Sequence, residues 1–510
     1  MSRSSTGCWT CKLRHRRCDQ LRPACRECSE RHISCHGYGP KPAWINNKSL
    51  LNAELSRIKH AVKENFRQNS RRRAARTNES SNDQETHRDG SFPTNSDATE
   101  ASKACSDSAA VSPAQQLTFQ ESQLLIHYLD YIFPLQFPYY VDNPEVGGRG
   151  WLFWFLMKSD PLHQAILTLS ALHRYTRFAR RAGDTEQELI EYHTKALQGL
   201  RQALCQHEIG DLATSSEQLI EFLACGSALI SFEVFQGGTM NWQPHLDALS
   251  SVVNGMTHVS NHLSSRAQSR PPFTASPGTE DMEHAQRFLV ANLLWFDLLA
   301  STSSGTAPKI AYKLWLDERN IDLSQLMGCY NWVMTAIGDI ASIKSRGASE
   351  NSTAVVEAFE IKDRLEAGLR DLDLVAQVPM PIAVPISRVF ACSAMVELYT
   401  TCPPLVYTAS AMQDAVANVI EAIRLFPENT SLRGLTWPVC VAGSMAEGDQ
   451  QQYFETVMQK MLGGSGIGFT NCDTVSQIVK RCWHYRRNHP GQSWNWNDSM
   501  GAMGICALLV

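Results

Sequence analysis

No apolar run in this chain approaches the roughly 18 residues of a membrane span. The best candidates, Trp151–Met157 and Phe288–Phe296, are short or interrupted, so no contact with a membrane is expected. The opening Met1-Ser-Arg-Ser-Ser-Thr-Gly7 lacks an apolar stretch, which argues against a secretory leader. Without a secretory route, dense cysteines are expected to be metal ligands rather than disulfides. Alternating strand patterns are scarce. Charged residues are only 19% of the chain against 43% apolar, which excludes global disorder. The enzyme signatures H-E-x-x-H, G-x-x-x-x-G-K-[ST] and G-x-S-x-G are absent. Gly464-Ser-Gly-Ile-Gly468 lacks the third glycine of a dinucleotide fingerprint and reads as an inter-helix loop. Cys482 and His484 lie close in sequence, but nothing else there suggests a thiol catalyst. No enzymatic role is expected.

What is present is unevenly placed. Residues 1–76 hold 18 Lys/Arg against 5 Asp/Glu, whereas the whole chain carries a formal net charge of -4. A basic head therefore precedes an acidic body, the pattern of a polyanion-binding module joined to something else. Six of the 16 cysteines fall within Cys8–Cys35, and the other ten lie singly from Cys105 to Cys506. The scattered ten read as small, reduced core residues.

The six follow C-x2-C-x6-C-x6-C-x2-C-x6-C, and Cys8, Cys11 and Cys18 recur 17 residues later as Cys25, Cys28 and Cys35. Zinc takes four ligands in a tetrahedron. Two independent four-cysteine sites would need eight sulfurs. Six suffice for two metals if two thiolates bridge, so the spacing predicts a binuclear cluster. Six thiolates and two zinc ions leave a net charge of about -2, which Lys12, Arg14, Arg16, Arg17, Arg22, Arg26 and Arg31 offset. So small a module has almost no core, and the metal supplies its folding free energy. His15, His32 and His36 are not needed as ligands and read as surface residues.

This string, with Lys12-Leu-Arg-His-Arg-Arg17, Asp19 and Pro23, resembles the fungal six-cysteine binuclear zinc cluster of transcription regulators. The resemblance implies two Zn(2+) per chain. Cys8 and Cys25 would bridge, Cys11 and Cys18 would complete one metal, and Cys28 and Cys35 the other. It further implies that the helix after Cys11 enters the major groove of double-stranded DNA. Arg14 and His15 would then face base edges, commonly of a CGG triplet. Arg14 can bond guanine O6 and N7 together. His15 replaces the usual Lys/Arg and is mostly neutral at neutral pH, so base reading weakens there. Lys12, Arg16 and Arg17 are assigned to phosphates or to screening the cluster.

Residues 1–43 are taken as the zinc module and 44–76 as a basic linker. Leu51, Leu55, Ile58 and Val62 have coiled-coil spacing for barely two heptads, so residues 51–62 are a candidate homo- or heterodimer contact. Arg71, Arg72, Arg73 and Arg76 form a candidate nuclear-import signal. Residues 77–116, with only Phe92 and Val111 as large apolar side chains, read as a disordered linker.

From 117 to 510 the pattern is helix after helix. Thr118 and Glu121 form a capping box, Pro134 is expected to stop that helix, and Asp160-Pro161 is read as an N-cap and first helical residue. Thr185 and Glu188 suggest another box. Further helices are expected near 215–236, 243–262, 283–303, 323–345, 353–371, 385–401, 410–425, 449–462 and 473–486. The fold class is a small zinc-stabilised module plus a large all-α domain, a multi-helix array. Cys35-His-Gly-Tyr-Gly-Pro-Lys-Pro-Ala-Trp44, His127–Phe137, Gly148–Trp154, Leu169–His173, Ile230–Gly238 with Trp242, and Trp437–Gly443 resemble the second type of fungal-specific transcription factor domain. That family domain is helical and regulatory. Phe232, Phe235 and Trp242 are read as core rather than as an effector pocket.

The expectation is a nuclear, sequence-specific regulator of RNA polymerase II transcription, possessing coactivator or general-machinery contacts and governing, by family analogy, a metabolic gene cluster. Two alternatives stand beside it: a repressor or heterodimer partner without activating function, and a helical enzyme or scaffold with a zinc tether.

Overall fold

The computed structural model describes residues 7–13, 18–22, 24–29, 35–39 and 42, and then most of the chain from 117 onward. In that second part it leaves out 143–147, 179–183, 207–215, 240, 257–277, 320, 348–351, 376–379, 407, 409, 429 and 464–467. The chain forms two compact units that divide between Ala109 and Ala110. Residues 51–62, Arg71, Arg72, Arg73 and Arg76 lie outside the described residues.

The first unit contains two short helices, α1 (Trp9–Leu13) and α2 (Arg26–Ser29). The second is helical, and no strand occurs among the described residues. Its helix α3 (Phe119–His127) opens with the expected box, Thr118 and Glu121 each bonding the other's backbone N–H. Pro134 does not stop this helix. A π-turn over Tyr128–Ile132 follows, and the chain continues helically through Phe133–Gln136 with Pro134 in its first turn. The wider turn removes the need for the N–H that proline lacks.

Helix α4 (Gly150–Lys158) leads into α5 (Asp160–Phe178). Here Ser159, not Asp160, caps: its Oγ accepts the N–H of Leu162 at 3.5 Å and its carbonyl that of His163 at 2.9 Å. Helix α6 (Asp184–Gln206) already contains Thr185, so that residue sits in the first turn rather than before it. The remaining long helices are α7 (Ser216–Phe235), α8 (Trp242–Gly255), α9 (Thr279–Ser304), α10 (Asn331–Ser345), α11 (Ser352–Asp373), α12 (Ala383–Thr401), α13 (Ala411–Arg424), α14 (Thr436–Met445), α15 (Asp449–Leu462), α16 (Cys472–Asn488) and α17 (Trp496–Met503). The stretch expected as one helix over 323–345 is split, because Gly328 takes a left-handed φ of +69° and ends a short turn at Ser324–Met327.

Helix α7 is long and apolar enough to cross a membrane by length and composition, a property the sequence reading did not assign. It is a core helix: every residue from Leu219 to Phe235 except Glu221 is buried, against α5, α8 and α9. Gly226 lets α8 approach, since a Cβ there would meet Leu249 at 2.6 Å. From α9 the core passes through α10, α12 and α14 to α16. Buried indoles need acceptors for their N–H groups. Trp242 donates to the Cys506 carbonyl at 3.0 Å, Trp437 to Thr302 Oγ1 at 2.9 Å and Trp496 to Glu397 Oε2 at 2.8 Å. The last residues return to the turn after α7, where the Leu508 N–H donates to the Gly238 carbonyl at 2.9 Å. Gly238 has φ +71°, and a Cβ would lie 2.8 Å from the Leu508 oxygen, so only glycine fits.

Candidate metal centre

Each C-x2-C pair is set by one helical turn. Cys8 precedes α1 and its carbonyl accepts the Lys12 N–H at 3.0 Å; Cys25 precedes α2 and accepts the Ser29 N–H at 2.9 Å. Three residues on, Cys11 and Cys28 return to the same helix faces. The 17-residue repeat in sequence is thus a repeat in structure.

The sulfurs converge in two overlapping groups. Cys8, Cys11, Cys18 and Cys25 form one, and Cys8, Cys25, Cys28 and Cys35 the other; within each, all Sγ atoms lie within 4.8 Å of one another. Cys8 and Cys25 belong to both. Four sulfurs held at about 2.3 Å from a zinc ion stand about 3.8 Å apart along the tetrahedron's edges. The Cys8–Cys25, Cys8–Cys28 and Cys11–Cys25 separations are 3.7, 3.9 and 3.6 Å. All six are free thiols, and Cys8, Cys11, Cys25 and Cys28 are fully buried. Burial pushes the Cys8 and Cys28 thiols up and the Cys11 thiol up to about 12. Neutral thiols crowded in this way gain little from one another, whereas a bound cation deprotonates them outright. The donor set fits zinc.

Several side chains brace the cluster. The Asp19 carboxylate accepts the Arg26 N–H from both oxygens at 3.1 Å and pins the start of α2. Thr10, fully buried, bonds His36 twice, through Nδ1 at 2.8 Å and the backbone N–H at 3.0 Å. His36 is therefore a brace, not the free surface residue expected. The Tyr38 hydroxyl lies 3.6 Å from Cys18 Sγ and donates to the Leu21 carbonyl at 2.9 Å. The roles of His36 and Tyr38 were not read from the sequence, because each contact joins segments 20 or more residues apart that only the converging cysteines bring together.

Among the basic residues, Lys12 Nζ rests 4.4 Å from the Trp9 ring centre and the Arg22 guanidinium 5.7 Å from that of Tyr38. Arg14, His15, Arg16 and Arg17 lie outside the described residues, as do His32 and Arg31.

In the helical unit, Cys482 is buried and bonds Ser499 Oγ at 3.0 Å, and burial raises its thiol to about 11. His484 instead bonds Asn488 at 3.0 Å. The two do not form a nucleophile–base pair. Phe232, Phe235 and Trp242 are buried, as expected for core.

Residues 6–44 match the fungal Zn(2)-Cys(6) binuclear cluster domain, a module that implies zinc and DNA binding. Residues 123–510 match the fungal specific transcription factor domain, and the chain belongs to this family of transcription factors. It is 27% identical to the pestheic acid cluster transcriptional regulator 3 of Pestalotiopsis fici over 97% of both chains. It is 25% identical to the ustiloxin B cluster transcription factor ustR of Aspergillus flavus, over 100% of this chain and 99% of that one. It is 28% identical to the trichothecene biosynthesis transcription regulator TRI10 of Trichoderma arundinaceum, over 74% of this chain and 94% of the relative. No solved structure matches the chain. The family and its named relatives are regulators of transcription, not enzymes.

Proposed function

We propose that this chain is a nuclear, sequence-specific transcription factor that holds two zinc ions on Cys8, Cys11, Cys18, Cys25, Cys28 and Cys35 and reads CGG-type triplets for RNA polymerase II. The observation that carries this reading is the pair of four-sulfur groups sharing Cys8 and Cys25. Cys8 and Cys25 bridge the metals, and the zinc supplies folding free energy and fixes α1 against α2. Arg14, next along the chain from α1, bonds guanine. His15 contributes little base reading, while Lys12, Arg16 and Arg17 hold phosphates.

The domain limits follow the same reading: zinc module 1–43, basic linker 44–76, a second linker 77–116 that lies outside the described residues, and regulatory helical domain 117–510. Arg71, Arg72, Arg73 and Arg76 direct nuclear import, residues 51–62 pair two chains, and the helical domain meets coactivators or the general transcription machinery. The relatives named for pestheic acid, ustiloxin B and trichothecene regulation support a biosynthetic gene cluster as the target.

The test is selection of a randomised duplex pool by the full chain, with zinc measured on the same sample. Enrichment of CGG-type triplets by zinc-loaded protein is the expected result. Zinc-loaded protein without sequence enrichment overturns the reading. Paired triplets at fixed spacing indicate the dimer, and single triplets a monomer.

A further inference from the structure

The helical domain carries an open groove that leaves ≈ 750 Å³ free for water-sized molecules. Three segments wall it: the Phe133–Gln136 turn with the residues after it, the end of α13 with the loop that follows, and α15. The walls are fixed to one another. The Tyr139 hydroxyl donates to the Ser431 carbonyl at 2.9 Å, and Gly434 leaves room for that ring, since a Cβ there would lie 2.5 Å from it. The Tyr453 hydroxyl donates to the Ile420 carbonyl at 3.5 Å and joins α15 to α13. The groove is therefore formed before any partner arrives, which lowers the ordering cost of binding.

Its lining is mixed. Val457 and Met461 contribute buried apolar surface, and Leu135, Pro138 and Phe426 are half-buried. A half-exposed apolar strip rimmed by polar groups marks contact with another molecule.

The charge is one-sided. Arg424, Arg433 and Lys460 line the groove, against Glu428 as the one carboxylate there among the described residues. Arg424 is engaged: it bonds Glu421 at 2.6 Å and lies 5.2 Å from the Tyr453 ring centre. Arg433 donates to the Phe469 carbonyl, and Lys460 is exposed. Neither pairs with a carboxylate among the described residues. Asn429 and Gly464-Ser-Gly-Ile467, which flank lining residues in sequence, include no acidic residue. Burial works against the charge of Arg433 and lowers its pKa. A cation partly withdrawn from water gains from an opposite charge brought to it.

We propose that this groove binds a peptide segment of a partner protein in which large apolar side chains alternate with carboxylates. The apolar side chains enter between Leu135, Phe426 and α15, and the carboxylates meet Arg433 and Lys460. Such a segment answers both features of the groove. A nucleic-acid backbone would meet only the cations, and a neutral apolar peptide only the strip. The proposal rests on the reading that the helical domain meets other proteins, and it names the place and chemistry of that contact.

The test is fluorescence anisotropy of the full chain with the fluorescein-labelled peptide Asp-Phe-Asp-Asp-Leu-Asp-Asp-Phe-Asp-Leu. One control peptide replaces every Asp by Asn, and another replaces every Phe and Leu by Ser. The parent peptide should bind about tenfold or more tightly than either control. Lys460→Gln and Arg433→Gln should each weaken it about threefold. Thr456→Trp, at an exposed position of α15 in the groove, should block it without changing charge. Arg487→Gln removes an exposed cation of α16 outside the groove and should leave binding unchanged. Circular dichroism and Tm report whether each variant is folded. Lys460→Gln and Thr456→Trp alter exposed side chains, so they decide the matter if Arg433→Gln does not fold. Duplex selection should be the same for every variant, so the groove and the transcription-factor reading fail separately. No binding of the parent peptide, or equal binding of either control, overturns the proposal. Full binding in both Lys460→Gln and Thr456→Trp assigns the peptide to the basic N-terminal head and also overturns it. Equal weakening in Lys460→Gln and Arg487→Gln does the same, because charge alone would then attract the peptide.

Discussion

The sulfurs of Cys8 and Cys25 stand 3.7 Å apart although 17 residues separate them, and each belongs to both four-sulfur groups. The remaining four cysteines belong to one group each. The six are therefore unequal, and their substitutions should be unequal too.

Cys25→Ala removes a sulfur from both groups and Cys35→Ala from one. Bound zinc, measured by inductively coupled plasma mass spectrometry on the full chain, should fall further in Cys25→Ala. Specific DNA binding should be lost in that variant. Equal zinc loss in the two variants would contradict the shared role of Cys25.

Arg14→Ala should leave zinc content unchanged and cost about 1–3 kcal/mol in discrimination at a single base. The measurement is binding to a set of duplexes that differ at one triplet position. A uniform loss across all duplexes would assign Arg14 to phosphate instead.

Asp297 in α9 is 1% exposed, and its carboxylate accepts the Ile310 N–H at 2.8 Å. Burial raises its pKa to about 6, against the lowering influence of the Ile310 and Lys309 N–H groups. A carboxyl with a raised folded pKa contributes most below its unfolded value, and that contribution is lost as pH rises through about 6. Asp297→Asn keeps the acceptor and removes the charge. It should raise stability at neutral pH by about 2–3 kcal/mol. It should also flatten the stability profile between about pH 4 and 6. Urea unfolding across that range checks both, and an unchanged profile would refute the assignment.

Lys344 bonds Glu397 at 2.7 Å, where the carboxylate is 1% exposed and also accepts the Trp496 N–H. Lys344→Met strands that carboxylate and should cost about 3 kcal/mol. The double variant with Glu397→Gln should recover most of the loss, because the stranded charge is gone. Failure to recover would mean that the lysine stem, not its charge, holds α17.

Much of this fold is legible because amphipathic helices declare themselves. Helices α13, α15 and α16 lie within a few residues of their expected limits, each with one buried and one exposed face. Helices α4, α14 and α17 were not anticipated. In α14 every residue from Thr436 to Ser444 is buried, so no periodicity marks it. A signal for α17 existed in Asn495 and Asp498, which form a reciprocal capping box. The same all-round burial makes α7 resemble a membrane span, and only its neighbours show it to be core.

The sequence by itself determined the arrangement of cysteines, because that arrangement is local: two residues between cysteines make one helical turn, and a 17-residue repeat makes the second half match the first. It likewise determined the helical class, through periodicity and caps. Tertiary structure decided what depends on distant residues meeting. It set Thr10 against His36, Glu397 between Lys344 and Trp496, and Arg433 in one groove with Leu135 and Phe426. No short-range pattern records such meetings, since an isolated arginine reads as a solvated residue until packing around it removes the water.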